Sequence, residues 1–268
     1  MSNAFVLKPM PFSVAAVSSV AAGYDAANMA NDHMGVVWRS LTGSDVVGFV
    51  IDLGADIAVD TILLMGCTQA SLAWEMAIDA ATDAQGSTFP GGSWSGGNVP
   101  FLAGAVMPTS GRGRALWMAP LAGGPPPSRY WRLTVKNLSG AAVTIARIVI
   151  GKRIQLQRNF TFGAAFGVRD LGNAEFSPRG VFLRRRGAKL RSVGLTFSSV
   201  YKDEVEAAVH PLIETVGLTE PIALVSDPDP DAQRQNRIWF GPLVGDLGTV
   251  WPRANGFEWR ANVVGLNA

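Results

Sequence analysis

The chain has 268 residues, of which 48% are hydrophobic and 16% charged, and its formal net charge is +2. That length suits two domains of ordinary size with ample core, and the composition excludes an intrinsically disordered chain. The charge excludes a bulk electrostatic binder of nucleic acid, because residues 1–155 hold 10 Lys/Arg against 9 Asp/Glu and the rest hold 13 against 12.

In chain order, Val14–Ala22 is apolar, but only Lys8 precedes it and Pro9 and Pro11 interrupt the approach, so no cleaved secretory signal is expected. Ser18–Trp38 is rich in small residues and leads into G-F-V-I-D-L-G at Gly48–Gly54. Ala58–Gly66 begins with alternation and ends in an apolar run, and Ala73–Ala81 alternates again. Cys67, the single cysteine, allows no intramolecular disulfide. Ala84–Pro100 is a Gly/Ser-rich loop carrying Phe89 and Trp94, and Thr109–Arg114 is a second loop with Arg112 and Arg114. Ser128–Gln155 is the most regularly patterned stretch. Within it Tyr130–Val135 sets Trp131, Leu133 and Val135 on one face, Asn137–Gly140 supplies turn chemistry, and Val143–Ile150 alternates again. This spacing predicts a core hairpin of a β-sandwich. Trp38, Trp74, Trp117 and Trp131 fall in or beside strands and are expected in the core. Short strands at intervals of roughly ten to twenty residues predict an antiparallel sandwich or jelly roll.

Small residues followed by Tyr24, Asn28, Asp32 and Trp38, then the I-D-L-G strand, open a pattern that Arg129-Tyr130-Trp131-Arg132-Leu133 and Ile145–Ile150 close. Over about residues 12–152 this resembles a discoidin domain (coagulation factor 5/8 type C), a galactose-binding-like jelly roll. The resemblance implies loops at one end of the barrel that bind glycans, lipid headgroups or proteins, and in some members a structural calcium. Trp94 and Phe89, with Asp32, His33 and Arg112, are the candidate ligand contacts: an aromatic over a sugar face with polar groups beside it. The alternative is that Trp94 anchors its loop on the barrel edge and that Asp32 and His33 are loop hydrogen-bonders. No clustered carboxylates offer the roughly six to eight oxygens that calcium takes, so no metal and no cofactor is expected.

Gly151–Asn159 has no Pro/Gly-rich linker, which predicts rigid coupling at a boundary near residue 154. Phe160–Gly172 is rich in glycine and aromatics. Arg184, Arg185, Arg186, Lys189 and Arg191 form a basic cluster, expected as a subunit interface that pairs with acids of a neighbouring copy; a phosphate backbone is the other candidate. Leu190–Ser198 alternates as a strand. Tyr201–Gly217 is the one convincing helix, with Val205, Ala208, Val209, Leu212, Ile213 and Val216 in one stripe. Asp203, Glu204 and Glu206 suit its N-terminal dipole, and Gly217 suits its end. Pro211 predicts a kink or a restart at His210, which leaves His210 a helix-surface residue. Strands are expected at Pro221–Ser226, Asn236–Leu243 and Gly256–Val264, with Asp227–Asp231 a stiff acidic turn or a cation site. This order is similar to that of small β domains in tail and baseplate proteins of tailed bacteriophages, over residues 155–268.

Phosphate-cradling loops, G-x-S-x-G, H-E-x-x-H and C-x-x-C are all missing from the sequence, and no enzyme activity is expected. The expected fold is mainly β: a jelly-roll β-sandwich over 1–154 and a smaller β domain over 155–268 with one amphipathic helix near 202–216. The two resemblances imply a structural component of a bacteriophage tail tip or baseplate. It would assemble as a ring with copies of itself and other tail proteins in the host cytoplasm and contribute to host-glycan attachment, with no nucleic acid and no membrane insertion. The alternative is a free lectin-like protein or an accessory module of a glycoside-processing system.

Overall fold

The computed structural model describes residues 2–120, 123–254 and 256–266. The chain forms two compact units, neither continuous in sequence. Val6–Ile154 and Asp227–Ile238 form a β-sandwich; the other described residues, chiefly Gln155–Ser226 and the stretch from Trp239 onward, form a smaller β unit with a helix.

One sheet of the sandwich has five antiparallel strands in the order Ser13–Val17, Val46–Ile57, Ser128–Lys136, Glu75–Ala81, Trp94–Pro100; the other has three, Arg147–Gly151, Thr61–Thr68, Arg112–Met118. The alternation seen in the sequence decides what lies between them. Phe49, Ile51, Met76, Ile78, Trp131 and Leu133 of the first sheet share one buried cluster with Ile62, Leu64, Trp117 and Ile148 of the second. Burying each such side chain stabilises by about 1.5–3 kcal/mol. Trp38, Trp74, Trp117 and Trp131 are all in this core, as their strand positions predict. Thr61–Thr68 is buried along nearly its whole length, which is why its apolar run shows no alternation.

The two strands of Ser128–Gln155 do not pair with one another, so the expected hairpin is corrected to an arch between sheets. Ser128–Lys136 lies between Val46–Ile57 and Glu75–Ala81, whereas Arg147–Gly151 pairs with Thr61–Thr68 in the opposite sheet. The cause is the connection. Asn137, Ser139 and Gly140 take positive φ, and the turn drops Leu138 into the core. Asp45 fixes that geometry, its carbonyl accepting from the Leu138 N–H and its carboxylate from the Ser139 N–H. Alternation specifies the face a residue takes, not the strand beside it.

The outer face of the five-stranded sheet carries ion pairs. Arg129 grips Asp52 through two hydrogen bonds, Nε to Oδ1 at 2.7 Å and Nη2 to Oδ2 at 2.9 Å. The guanidinium holds the Asp52 carboxyl below its ordinary value. A depressed carboxylate stabilises the fold fully above its unfolded value and loses that contribution as pH falls through its folded value. Asp52→Asn is therefore expected to lower the urea midpoint near neutrality, with the gap from the parent closing below about pH 4. A gap that stays constant down to acid pH would show that the pair's charge is not what stabilises.

Residues 227–238 complete the sandwich from far along the sequence. Gln235 is fully buried: its Oε1 accepts from the Arg114 N–H at 2.8 Å, and its Nε2 donates to the carbonyls of Gly104 and Val106. The Arg114 guanidinium, 1% exposed, donates to the Gln235 carbonyl. Arg234 Nε adds a 2.6 Å bond to the Ala103 carbonyl. The acidic turn is held internally, with Arg237 reaching Asp227 at 2.6 Å and Asp231 at 3.1 Å.

The smaller unit is built on an antiparallel sheet in the order Ala165–Asp170, Lys189–Val200, Gly256–Val264, Thr249–Arg253. Phe197 stacks on its cross-strand partner Trp259 with centroids 5.3 Å apart. The helix runs from Lys202 to Val216 and buries Val205, Val209, Leu212 and Val216. Pro211 has no N–H for the carbonyl four residues back, and its ring crowds that carbonyl. The helix answers with a π-turn over Val205–Val209, and regular α geometry restarts at His210, where the sequence placed the break. Gly217 ends the helix at φ 51°. His210 is half-buried, with Nε2 2.8 Å from Thr249 Oγ1 and its ring edge-on to Phe257.

A two-stranded ribbon extends from this sheet. Ala165–Asp170 pairs with Lys189–Val200, Leu171 N–H bonds the Ala188 carbonyl, and Asn173–Phe176 pairs with Phe182–Arg185. Gly172 and Gly187 cross so closely that a Cβ on either would strike the opposite backbone. Every residue of Ala165–Asp170, Asn173–Phe176 and Phe182–Arg185 is exposed.

Candidate functional site

A cleft of ≈ 380 Å³ opens on the sandwich, lined by Tyr24, Arg39, Thr68, Gln69, Arg112 and Thr144 among others. Its geometry starts from a bulge. Thr61–Thr68 slips register between Met65 and Cys67, and Gly66 takes φ 72° there. A Cβ on Gly66 would lie 2.6 Å from the Ala146 Cβ, so only glycine fits the bend. The slip sets Thr68 opposite Arg112, and both reach the cleft. A second cross-strand pair, Arg39 and Thr144, lines it as well. Gln69 follows in the left-handed region at φ 59°. Arg112 is steadied by a 3.2 Å bond from Nη1 to the Met34 carbonyl.

The chemistry of this cleft is donor-rich. It holds two guanidiniums, a phenol, an amide and hydroxyls, and no carboxylate is among its lining residues. Among the described residues, the side chains of Tyr24, Arg39, Thr68 and Gln69 make no hydrogen bond within the protein. Their polar atoms are available to a ligand.

Of the candidate ligand residues, Arg112 lies at this cleft; Phe89, Trp94, Asp32 and His33 do not line it. Trp94 is half-buried, its Nε1 donating to the Gly123 carbonyl at 2.8 Å and its ring edge-on to Trp117 at 5.8 Å. The stretch expected as a loop from Ala84 to Pro100 is a strand from Trp94 onward, and Trp94 opens it with its ring packed against the core. Phe89 lies under the Arg132 guanidinium, 4.5 Å from charge to ring centroid. Asp32 is drawn to Arg147, 3.1 Å away, whose burial pushes its guanidinium pKa down while Asp32 pulls it back up. His33 is exposed, and its N–H donates to Asn31 Oδ1. Tyr24 belonged to the discoidin-like pattern, but Arg39, Thr68 and Gln69 gave no sequence signal: nothing in a strand end or a turn tells which way it faces.

Arg184, Arg185, Arg186 and Lys189 line a second cleft, of ≈ 660 Å³, at the ribbon, with Asp170 and Phe182. Arg191 is separated from that group and lies over the Trp239 ring at 5.0 Å, where burial lowers its guanidinium pKa.

No protein-family model matches the chain, and no curated protein matches it in sequence. Solved structures to which it is similar include a GH29 fucosidase from Ruminococcus gnavus in complex with fucose. The TM-score is 0.38 at 18% identity, covering 53% of this chain and 25% of the fucosidase, so the chain spans only a quarter of that enzyme. The C-terminal domain of a chitobiase from Bacteroides fragilis gives TM-score 0.41 at 13% identity, covering 54% of this chain and 95% of that domain. Chitosan-binding module 1 of a chitosanase/glucanase from Paenibacillus sp. IK-5 gives 0.38 at 15% identity, covering 54% and 95% respectively.

Proposed function

We propose that the sandwich binds an acidic saccharide in the cleft of Tyr24, Arg39 and Arg112. The observation that carries this is the lining itself: two guanidiniums and an exposed phenol ring with no carboxylate among them. A sugar carboxylate or sulfate accepts paired hydrogen bonds from a guanidinium, and the apolar face of the ring covers an aromatic side chain. The cleft falls within the usual range of small-ligand sites, about 300–1,000 Å³. Calorimetric titration with uronic-acid oligomers and their neutral counterparts tests this. Arg39→Ala is expected to weaken binding of the acidic oligomer about tenfold or more while leaving thermal unfolding unchanged. Failure to bind any oligomer of the set, or binding that is indifferent to Arg39→Ala, overturns the assignment.

A second reading is favoured by one observation, the exposed ribbon of the smaller unit. In this reading the chain is a structural subunit of a bacteriophage tail tip or baseplate, assembled in the host cytoplasm from repeated copies. Weak saccharide sites would then act together through raised effective concentration. Recovery of the chain from purified virions by mass spectrometry supports it, and recovery only from the fraction holding saccharide-degrading enzymes counts against it.

A further inference from the structure

We infer that the ribbon docks onto the helix of a second copy of this chain. The ribbon presents apolar surface that nothing in its own unit covers. Leu171, Phe176, Val181, Phe182 and Leu183 are 46% to 72% exposed, and Phe176 and Phe182 form a cross-strand pair with centroids 5.3 Å apart. Phe176 and Phe182 share one face of the ribbon, and Leu183 opposite Glu175 is on the other; an exposed aromatic pair marks a contact, and an isolated two-stranded ribbon is only marginally stable in water. Cations surround these side chains: residues 173–189 hold five Lys/Arg against one Asp/Glu. Four of those cations line the ≈ 660 Å³ cleft.

The complementary surface is on the same chain. Residues 202–220 hold five Asp/Glu against one Lys. Asp203, Glu206 and Glu214 are on the exposed side of the helix. Beside its first turn lies Trp251, 58% exposed, with Lys202 Nζ 6.0 Å from its ring, and Val250 is exposed next to it. One surface joins an exposed aromatic pair to a run of cations; the other joins an exposed tryptophan to a helix whose exposed side carries Asp203, Glu206 and Glu214, with Glu206 also 3.7 Å from Lys202. A nucleic-acid backbone would match the cations but leave Leu171, Val181 and Leu183 uncovered, whereas a second copy matches both features. Donor and acceptor are different surfaces, so the contact runs head to tail and builds a ring where it closes or a filament where it does not. It does not depend on the saccharide cleft, which serves as an independent check of folding.

Sedimentation velocity of the full chain tests the inference. The expected result is a mass rising with concentration to several times the 28.4 kDa of one chain. Phe176→Asp with Phe182→Asp, both at exposed positions, is expected to leave the circular dichroism spectrum unchanged and to weaken association about a hundredfold. Arg184→Glu with Arg185→Glu, and separately Glu206→Arg with Glu214→Arg, are each expected to sediment as monomers. An equimolar mixture of those two reversed forms is expected to associate again, because each restores the opposite charge for the other. A parent chain that stays monomeric throughout the concentration series overturns the inference, as does association that ignores the ribbon substitutions. Binding of a single-stranded oligonucleotide by a parent that remains monomeric would assign the basic cleft to nucleic acid instead.

Discussion

Trp131→Ala is expected to cost the sandwich about 3–5 kcal/mol, the largest effect of any single truncation considered. Trp131 is fully buried in the middle strand of the five-stranded sheet. Its ring meets Trp117 at 6.0 Å, and Trp117 in turn meets Trp94 at 5.8 Å, each pair edge-on. Three indoles thus bridge the space between the sheets. Edge-on aromatic pairs add about 0.5–1.5 kcal/mol beyond the area they bury. Truncation removes the fully buried end of that row, leaves a cavity that neighbours in extended strands cannot collapse to fill, and frees the Ser128 carbonyl that Trp131 Nε1 now bonds. Against a typical total of about 5–15 kcal/mol, that is a fifth or more of the stability. Urea unfolding followed by circular dichroism measures it. Trp94→Ala, at the half-buried end of the row, is the comparison and should cost clearly less. Equal losses would show that the row does not act as described.

Gln235→Ala is expected to lower stability by about 2–4 kcal/mol, far more than its neighbour Gln233→Ala, which should stay within about 0.5 kcal/mol. The reason is satisfaction more than packing. Removing the amide strips the buried Arg114 N–H and the part-buried Gly104 and Val106 carbonyls of a partner; the buried orphan alone costs about 1–3 kcal/mol, and the lost side-chain packing adds to it. Gln235→Glu should not rescue, because a carboxylate supplies the acceptor but not the two donors. Thermal unfolding of the three variants beside the parent measures this; a Glu variant as stable as the parent would refute it.

What the sequence disclosed about the fold follows from what short-range pattern can encode. Period-two spacing placed Trp131, Leu133 and Val135 inside, and helical spacing placed Val205, Val209, Leu212 and Val216 on one buried stripe with a break at Pro211. Both depend only on which way a side chain points from a known backbone. Partner choice is different. The strands within Ser128–Gln155 looked like a hairpin because they are adjacent and patterned, yet Leu138 turns the chain into the opposite sheet. Gln235, on a polar stretch after an acidic turn, looked like loop, and only its contact with Arg114 shows it to be core.

The cleft was hidden for the same reason. Arg112 was visible as an arginine in a loop. Thr68 and Gln69 reach the cleft through a one-residue slip at Gly66, and Arg39 through its pairing with Thr144, events without a compositional signature. Trp94 drew attention by its Gly/Ser-rich surroundings, but it opens the edge strand Trp94–Pro100 and bonds the Gly123 carbonyl outside that stretch. The basic cluster was legible as charge, but the apolar side chains beside it matter as much, and their exposure is a property of the ribbon rather than of the residues.

The split sandwich also has a consequence for biosynthesis. Its last main strand ends at Gly151, yet Gln235 leaves the ribosome 84 residues later. At roughly 5–20 residues per second that is a delay of about 4–17 s, during which the nascent barrel has its strands but not the plug for Arg114. The module is therefore finished only after most of its neighbour has been translated. It cannot be cut from its gene as a contiguous cassette: a transplanted fragment must carry the distant plug with it or be redesigned around Arg114.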